Sequence, residues 1–244
     1  MGLKHTIPLC ALLFLGCQRE QLDDCITSAG PMRTEERITG GFHRIDLGDR
    51  IDLVFETRSS GTVSVQAGAN LLGQITTEVS DGTLTVRNEM RCNWVRSFKP
   101  RITVHVPVAG MEHLTLRGTG DVSSTDTISG SFFAMEQRGA EGSCALLLQV
   151  DRTEIGLHSG AGNVSIRGRC TTANLFSGIM GAIDADELRA DLVNINNSGI
   201  ADIRCWAELQ MNVGIYDVGD VYYRGDPPVI QSTITGSGSL IHVN

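Results

Sequence analysis

The chain has 244 residues, 41% of them apolar and only 5% aromatic, which suits one elongated domain or two small ones with an aliphatic core. A formal net charge of −8 and a pI near 5.2 argue against a general electrostatic role on DNA, RNA or anionic lipid. Its basic residues are almost all arginine, with lysine at positions 4 and 99.

The first seventeen residues read as an export signal. Lys4 and His5 give a basic start, 7–15 is apolar, and Gly16-Cys17 is a processing site. The apolar run is too short to span a bilayer. Leu15-Gly16-Cys17 resembles a bacterial lipobox, with Phe14 where leucine is usual, so Cys17 is the expected lipid attachment and a membrane the expected partner. That address is the cell envelope, as an outer-membrane lipoprotein facing the periplasm or the surface. The stretch 18–38 follows as a flexible tether, polar and Gly/Pro-marked over 18–32. Asp23-Asp24 within it resembles the surface-export signals of Bacteroidetes lipoproteins. With Cys10 in the leader and Cys17 lipidated, Cys25, Cys92, Cys144, Cys170 and Cys205 remain. An odd number with no CxxC argues against a full disulfide framework and a zinc site, and leaves their pairing open.

Strand signals follow over 42–47, 51–56, 62–67, 75–79, 83–87 and 101–106, separated by turns such as Gly48-Asp49 and Asp81-Gly82, with one helical turn over 70–73. These define an N-terminal β-strand region over 39–108. The insertion 91–99 places Trp94 and Phe98 among Arg91, Arg96 and Lys99. Trp94, Phe98, Arg91 and Arg96 are candidate ligand-binding residues, able to stack on sugars or meet an acidic polymer. The preferred reading is a hairpin tip that covers the solenoid's end, because an open end invites edge pairing.

From 109 to 244 a triplet recurs: Gly120-Asp121-Val122, Gly142-Ser143-Cys144, Gly162-Asn163-Val164, Gly181-Ala182-Ile183, Ala201-Asp202-Ile203, Tyr216-Asp217-Val218 and Gly238-Ser239-Leu240. Their last residues lie 22, 20, 19, 20, 15 and 22 positions apart, a period that argues for a solenoid. Twenty extended residues have a contour of roughly 65 Å, enough for two or three short strands and their corners. Glycine suits the corner through positive φ, and Asp, Asn or Ser suits the next place by bonding nearby backbone. Alternation then sends Val122, Cys144, Val164, Ile183, Ile203, Val218 and Leu240 inward as one column, with Cys205 sharing that parity. Apolar pairs such as Leu114/Leu116, Ile155/Leu157, Val193/Ile195 and Leu209/Met211 precede most triplets. The helix formers of 185–192 sit inside this register and are overruled by it.

Phe42-x-x-Ile45, Ile51-Asp52-Leu53-Val54, Asn70-Leu71-Leu72, Asp81-Gly82-Thr83-Leu84 and Gly118-Thr119-Gly120-Asp121-Val122 together resemble the putative auto-transporter adhesin, head GIN domain family of Bacteroidetes surface and periplasmic lipoproteins. The resemblance covers about 39–244. It implies an all-β fold, a right-handed parallel β-helix whose N-terminal strands join the same stack. Adhesion is implied only by the family's name. The insertion 91–99 and the short rung from Ile203 to Val218 depart from the pattern.

β-Helices also carry polysaccharide lyases and hydrolases, which need convergent carboxylates or a base beside calcium-binding acids. Asp121, Asp202 and Asp217 share the corner position, but Ser143, Asn163 and Ala182 interrupt them; Asp202 and Asp217 form the best acidic pair. Asp is a common corner residue, so the structural explanation is preferred. His158-Ser159 lacks a nucleophile elbow, and the glycines match no P-loop, dinucleotide fingerprint or calcium β-roll. The expected function is therefore a non-catalytic, lipid-anchored binding, adhesion-like or structural module. It needs no cofactor or metal, and its partner is a glycan or an envelope protein rather than nucleic acid, with self-association left open. The alternative is a carbohydrate-active enzyme on the same fold. Convergent acids and bases in a groove would favour the enzyme, and a Ser/Thr/Asn-rich face would favour recognition.

Overall fold

The structure is a computed structural model that describes residues 28–90 and 101–243. Cys17, Cys25, Cys92 and the candidate residues Trp94, Phe98, Arg91 and Arg96 fall outside those residues. The first strands are β1 (Met32–Ile38), β2 (Arg44–Leu47), β3 (Ile51–Glu56), β4 (Thr62–Gly68), β5 (Ile75–Ser80), β6 (Thr83–Asn88) and β7 (Ile102–Pro107). One 3-10 turn, Leu72–Gln74, precedes β5. Then come β8 (His113–Leu116), β9 (Val122–Ser124), β10 (Ile128–Ala140), β11 (Cys144–Gly160), β12 (Val164–Ser177), β13 (Ile183–Asn197), β14 (Ile203–Ile215), β15 (Val221–Arg224), β16 (Val229–Ile234) and β17 (Leu240–His242). All seventeen belong to one hydrogen-bonded sheet, and the consecutive pairs from β10 to β14 run parallel, as a coil of stacked rungs requires.

The N-terminal strands join the same stack, in an order that differs from chain order. β6 and β7 make the outermost parallel rung, β2 and β3 the next, and β8 and β9 the third. Leu84, Ile45, Leu114 and Met135 therefore align on one inner face, and Val104, Leu53, Val122 and Cys144 on another, all buried. Alternation drives this: along β3 the residues Ile51, Leu53 and Phe55 are buried while Asp52, Val54 and Glu56 alternate with them on the outer face, half-buried. The outermost rung is covered by antiparallel strands, β5 on β6 and β4 on β7, with β1 on β4. Residues 32–38, expected to be tether, are thus β1. Its charged run Arg33, Glu35, Glu36 and Arg37 made it read as linker, and the same charges blunt a sheet edge. Arg37 also donates to the carbonyls of Leu72 and Ile75, fastening β1 to the turn before β5.

In the repeat region Val122, Cys144, Val164, Ile183 and Ile203 are direct partners on successive rungs and are buried, as the register required. The 185–192 segment is strand, because β13 is clamped between β12 and β14. Three expectations are corrected. Val218 is 55% exposed, and Val221 continues the column opposite Ile203 and Leu240. The rung is therefore 18 residues long, and Asp220, not Asp217, takes its corner. Leu209 is exposed, and the inward pair of β14 is Met211 and Val213, reached after an irregular register against β13. Finally, the triplet glycines serve space rather than positive φ. A Cβ on Gly142 or Gly162 would come within 2.0 or 2.2 Å of the preceding rung's carbonyl oxygen, a distance no real Cβ tolerates. The left-handed region is used instead by glycines outside the triplets, such as Gly139 and Gly160 with φ of 89° and 106°.

Cys144 and Cys205 act as small apolar fillers, as does Cys170, and all three are free. Burial pushes each thiol up to about 12, so they stay neutral and unreactive at ordinary pH.

Candidate functional site

The stacked corner is occupied by its own chemistry. Asp52 Oδ1 accepts the Asp121 N–H at 2.9 Å, Asp121 Oδ1 accepts the Ser143 N–H at 3.0 Å, and Asn163 Oδ1 accepts the Ala182 N–H at 3.0 Å. Asp202 takes the Asp220 N–H at 3.0 Å, and Asp220 takes the Ser239 N–H at 2.7 Å. Each acid or amide holds the next rung's backbone, the use expected of turn residues. The hydrogen bonds from Ser143 hold the Asp121 carboxyl below its usual range, with Arg101 adding to the effect. Asp220, not Asp217, follows Asp202 in this ladder, so the Asp202–Asp217 pair weighed for the enzyme alternative does not form.

A different arrangement lines the face made by β10 to β14 and β16. There a groove of about 970 Å³ opens to solvent. Its floor follows from register: Leu175, Ile195 and Val213 point inward, so Asn174, Asn194 and Asn212 beside them point out, one per rung. These amides form a ladder. Asn194 Nδ2 donates to Asn174 Oδ1 at 2.8 Å, and Asn212 Nδ2 donates to Asn194 Oδ1 at 2.8 Å. Gln210 donates to Asn212 Oδ1 at 3.3 Å, and Gln231, in register with Asn212, extends the column.

Rings flank the amides. Phe176, Asn196, Gly214 and Thr233 are register partners on successive rungs. The His158 ring packs on that of Phe176 with centroids 5.1 Å apart. Tyr216 leans back over Gly214, where a Cβ would fall 2.5 Å from its ring. His158 does the same over Gly156, at 2.7 Å from Nε2. A side chain at either glycine would push the ring off the strand. His158 is thus part of the groove wall.

Two carboxylates, Glu136 and Glu154, line the end near β10 and β11. Glu136 accepts from Arg138 at 2.9 Å and Glu154 pairs with Arg152, each two residues along its own strand. The Arg138 hydrogen bond holds the Glu136 carboxyl below the usual range, with smaller help from His158 and His113. A carboxyl held ionised in this way is a poor proton donor at neutral pH. The groove offers amides, rings and paired charges, which can orient a polar ligand without an acid–base pair poised for bond cleavage.

Sequence reasoning missed the groove. The signal was present in Asn174-Leu175, Asn194-Ile195 and Asn212-Val213, an amide before an inward aliphatic residue at steps of 20 and 18. Attention to the glycine-marked corner hid it.

Among the described residues no helix is long and apolar enough to cross a membrane. Comparison with solved structures gives the same architecture. A putative adhesin from Bacteroides fragilis has a TM-score of 0.79 at 22% identity, covering 87% of this chain and 97% of its own. A putative lipid binding protein from Parabacteroides distasonis gives 0.63 at 21%, over 88% and 98%, and a putative adhesin from Parabacteroides merdae gives 0.61 at 16%, over 88% and 97%. At these identities the likeness is one of fold. No curated protein matches the chain. The family model for the putative auto-transporter adhesin, head GIN domain matches residues 41–227, and the chain belongs to that family.

Proposed function

We propose that this protein is a non-catalytic recognition module of the cell envelope, anchored by lipid at Cys17 and facing the periplasm or the surface from the outer membrane, that binds an extended glycan or envelope protein along the β10–β16 groove. The observation that carries the reading is the amide ladder. Asn174, Asn194 and Asn212 are fixed by each other, yet each side chain keeps hydrogen-bonding capacity toward solvent. Asn with Tyr is also the mixture favoured on recognition surfaces, where rigid rings supply area and amides supply adaptable bonds. Membership of an adhesin-named family and solved relatives from Bacteroidales agree with an envelope address. The paired state of Glu136 and Glu154 favours binding over hydrolysis.

The test is retention of a labelled Bacteroides envelope fraction, glycans and proteins together, on immobilised chain. Asn194→Ala combined with Tyr216→Ala should abolish retention while the circular dichroism spectrum stays that of the wild type. Equal retention by wild type and variant would remove the groove from the function. The anchor is checked separately: Cys17→Ser should move the protein from the membrane to the soluble fraction, and unchanged membrane retention with no acyl group on the wild type would defeat it.

A further inference from the structure

Resting on the groove as the recognition site, we infer that its ligand is a neutral oligosaccharide lying along the solenoid axis, with pyranose faces on the rings of Phe176 and Tyr216 and hydroxyls on the amide ladder.

The rings are held as platforms. A Cβ on Gly214 would meet three atoms of the Tyr216 phenol at 2.5, 2.7 and 2.8 Å, so the ring lies across the glycine backbone. Tyr216 is nevertheless 47% exposed. One side of the ring covers backbone and the other is open, which suits stacking on the C–H face of a sugar. Phe176 is steadied by His158 and stands two rungs from Gly214, about 10 Å at the usual strand spacing. Asn196 occupies the rung between them, its Oδ1 held by the Ser198 hydroxyl at 2.7 Å. The platforms are thus separated by a polar notch.

The amides supply direction. A side-chain amide has two N–H donors and an oxygen that can accept twice. Asn194 spends one donor on Asn174 and accepts once from Asn212. It therefore keeps one donor and one acceptor, the pair that a sugar hydroxyl, itself donor and acceptor, satisfies. The pattern repeats at roughly 4.8 Å per rung, the scale of one pyranose in an extended chain, so a repeating ligand meets the same chemistry at each step.

Charge narrows the class. From Asn174 through Asn212 to Thr233 the groove is lined by neutral side chains, and its two carboxylates at the other end are paired with Arg138 and Arg152. An acidic polymer would find no cation along those rungs. An aliphatic chain would cover the amides without bonding them, which is unfavourable.

Isothermal titration of the full chain with cellohexaose, maltohexaose and chitohexaose, and with hexagalacturonate as the acidic comparison, decides the matter. At least one neutral hexamer should bind, with little change between low and high salt. Tyr216→Ala and Asn212→Ala should each raise its Kd tenfold or more with an unchanged circular dichroism spectrum, whereas Asn163→Ala at the corner should leave Kd alone. Binding by none of the neutral hexamers, or tighter binding of hexagalacturonate, overturns the inference. If none binds yet envelope-fraction retention still depends on Asn194 and Tyr216, the groove stands and only the ligand class is wrong. If retention is also indifferent to those residues, both readings fall.

Discussion

The corner and the groove are built from the same kind of residue, repeated at the same rung spacing, and they use it in opposite ways. At the corner Asp52, Asp121, Asn163, Asp202 and Asp220 give their oxygens to the backbone N–H of the next rung. In the groove Asn174, Asn194 and Asn212 bond one another and keep donors and acceptors for solvent. A polar column along a solenoid is therefore not by itself a site. What decides is whether its hydrogen-bonding capacity is consumed by the fold or left over.

The comparison depends first on the register that puts both columns outside, and the largest effects are expected where that register is attacked. Ile183→Asp should cost about 4 kcal/mol or more in urea unfolding, since it leaves an unpaired carboxylate between Val164 and Ile203. Val221→Asp should behave similarly, while Val218→Asp, three residues away on an exposed tip, should stay within about 0.5 kcal/mol. Equal losses for the two valines would restore the shorter rung.

Smaller effects separate the columns. Asn163→Ala removes the acceptor for the Ala182 N–H and should lower stability by about 1 kcal/mol without weakening ligand binding. Asn194→Ala removes two half-buried amide hydrogen bonds and should lower stability by about 1 kcal/mol as well, but unlike Asn163→Ala it should weaken binding. Acid should probe the corner first. The folded Asp121 carboxyl lies below its ordinary value, so its contribution is complete above the unfolded pKa of about 3.9 and disappears as pH falls through the folded value. Wild-type stability should drop below about pH 4, and Asp121→Asn, which keeps an acceptor but cannot titrate, should flatten part of that fall. An identical acid profile in wild type and Asp121→Asn would show that the corner carboxylate is not involved.

Much of the fold was legible because solenoid rungs repeat their sequence. The inward column from Val122 to Ile203 followed from spacing and parity, and β3 was placed at its observed bounds, 51–56. The register failed at Val218 because two Asp-Val pairs stand three residues apart. Gly219-Asp220-Val221 repeats Gly120-Asp121-Val122 residue for residue and gives even steps of 18 and 19. The interleaving of β2 and β3 between the β6–β7 and β8–β9 rungs was not legible, since pairing between distant segments leaves no local periodicity. Nor was the groove: the amide column was visible, but the leaning of Tyr216 over Gly214 is a tertiary fact.

Side-chain amide resonances of the 15N-labelled chain, followed while cellohexaose, maltohexaose or chitohexaose is added, test the division of the two columns most directly. Asn174, Asn194 and Asn212 should shift in a saturable way with the hexamer that binds, while Asn163 should not move. Saturable shifts at Asn163 with the groove amides unchanged would contradict the assignment of recognition to the groove.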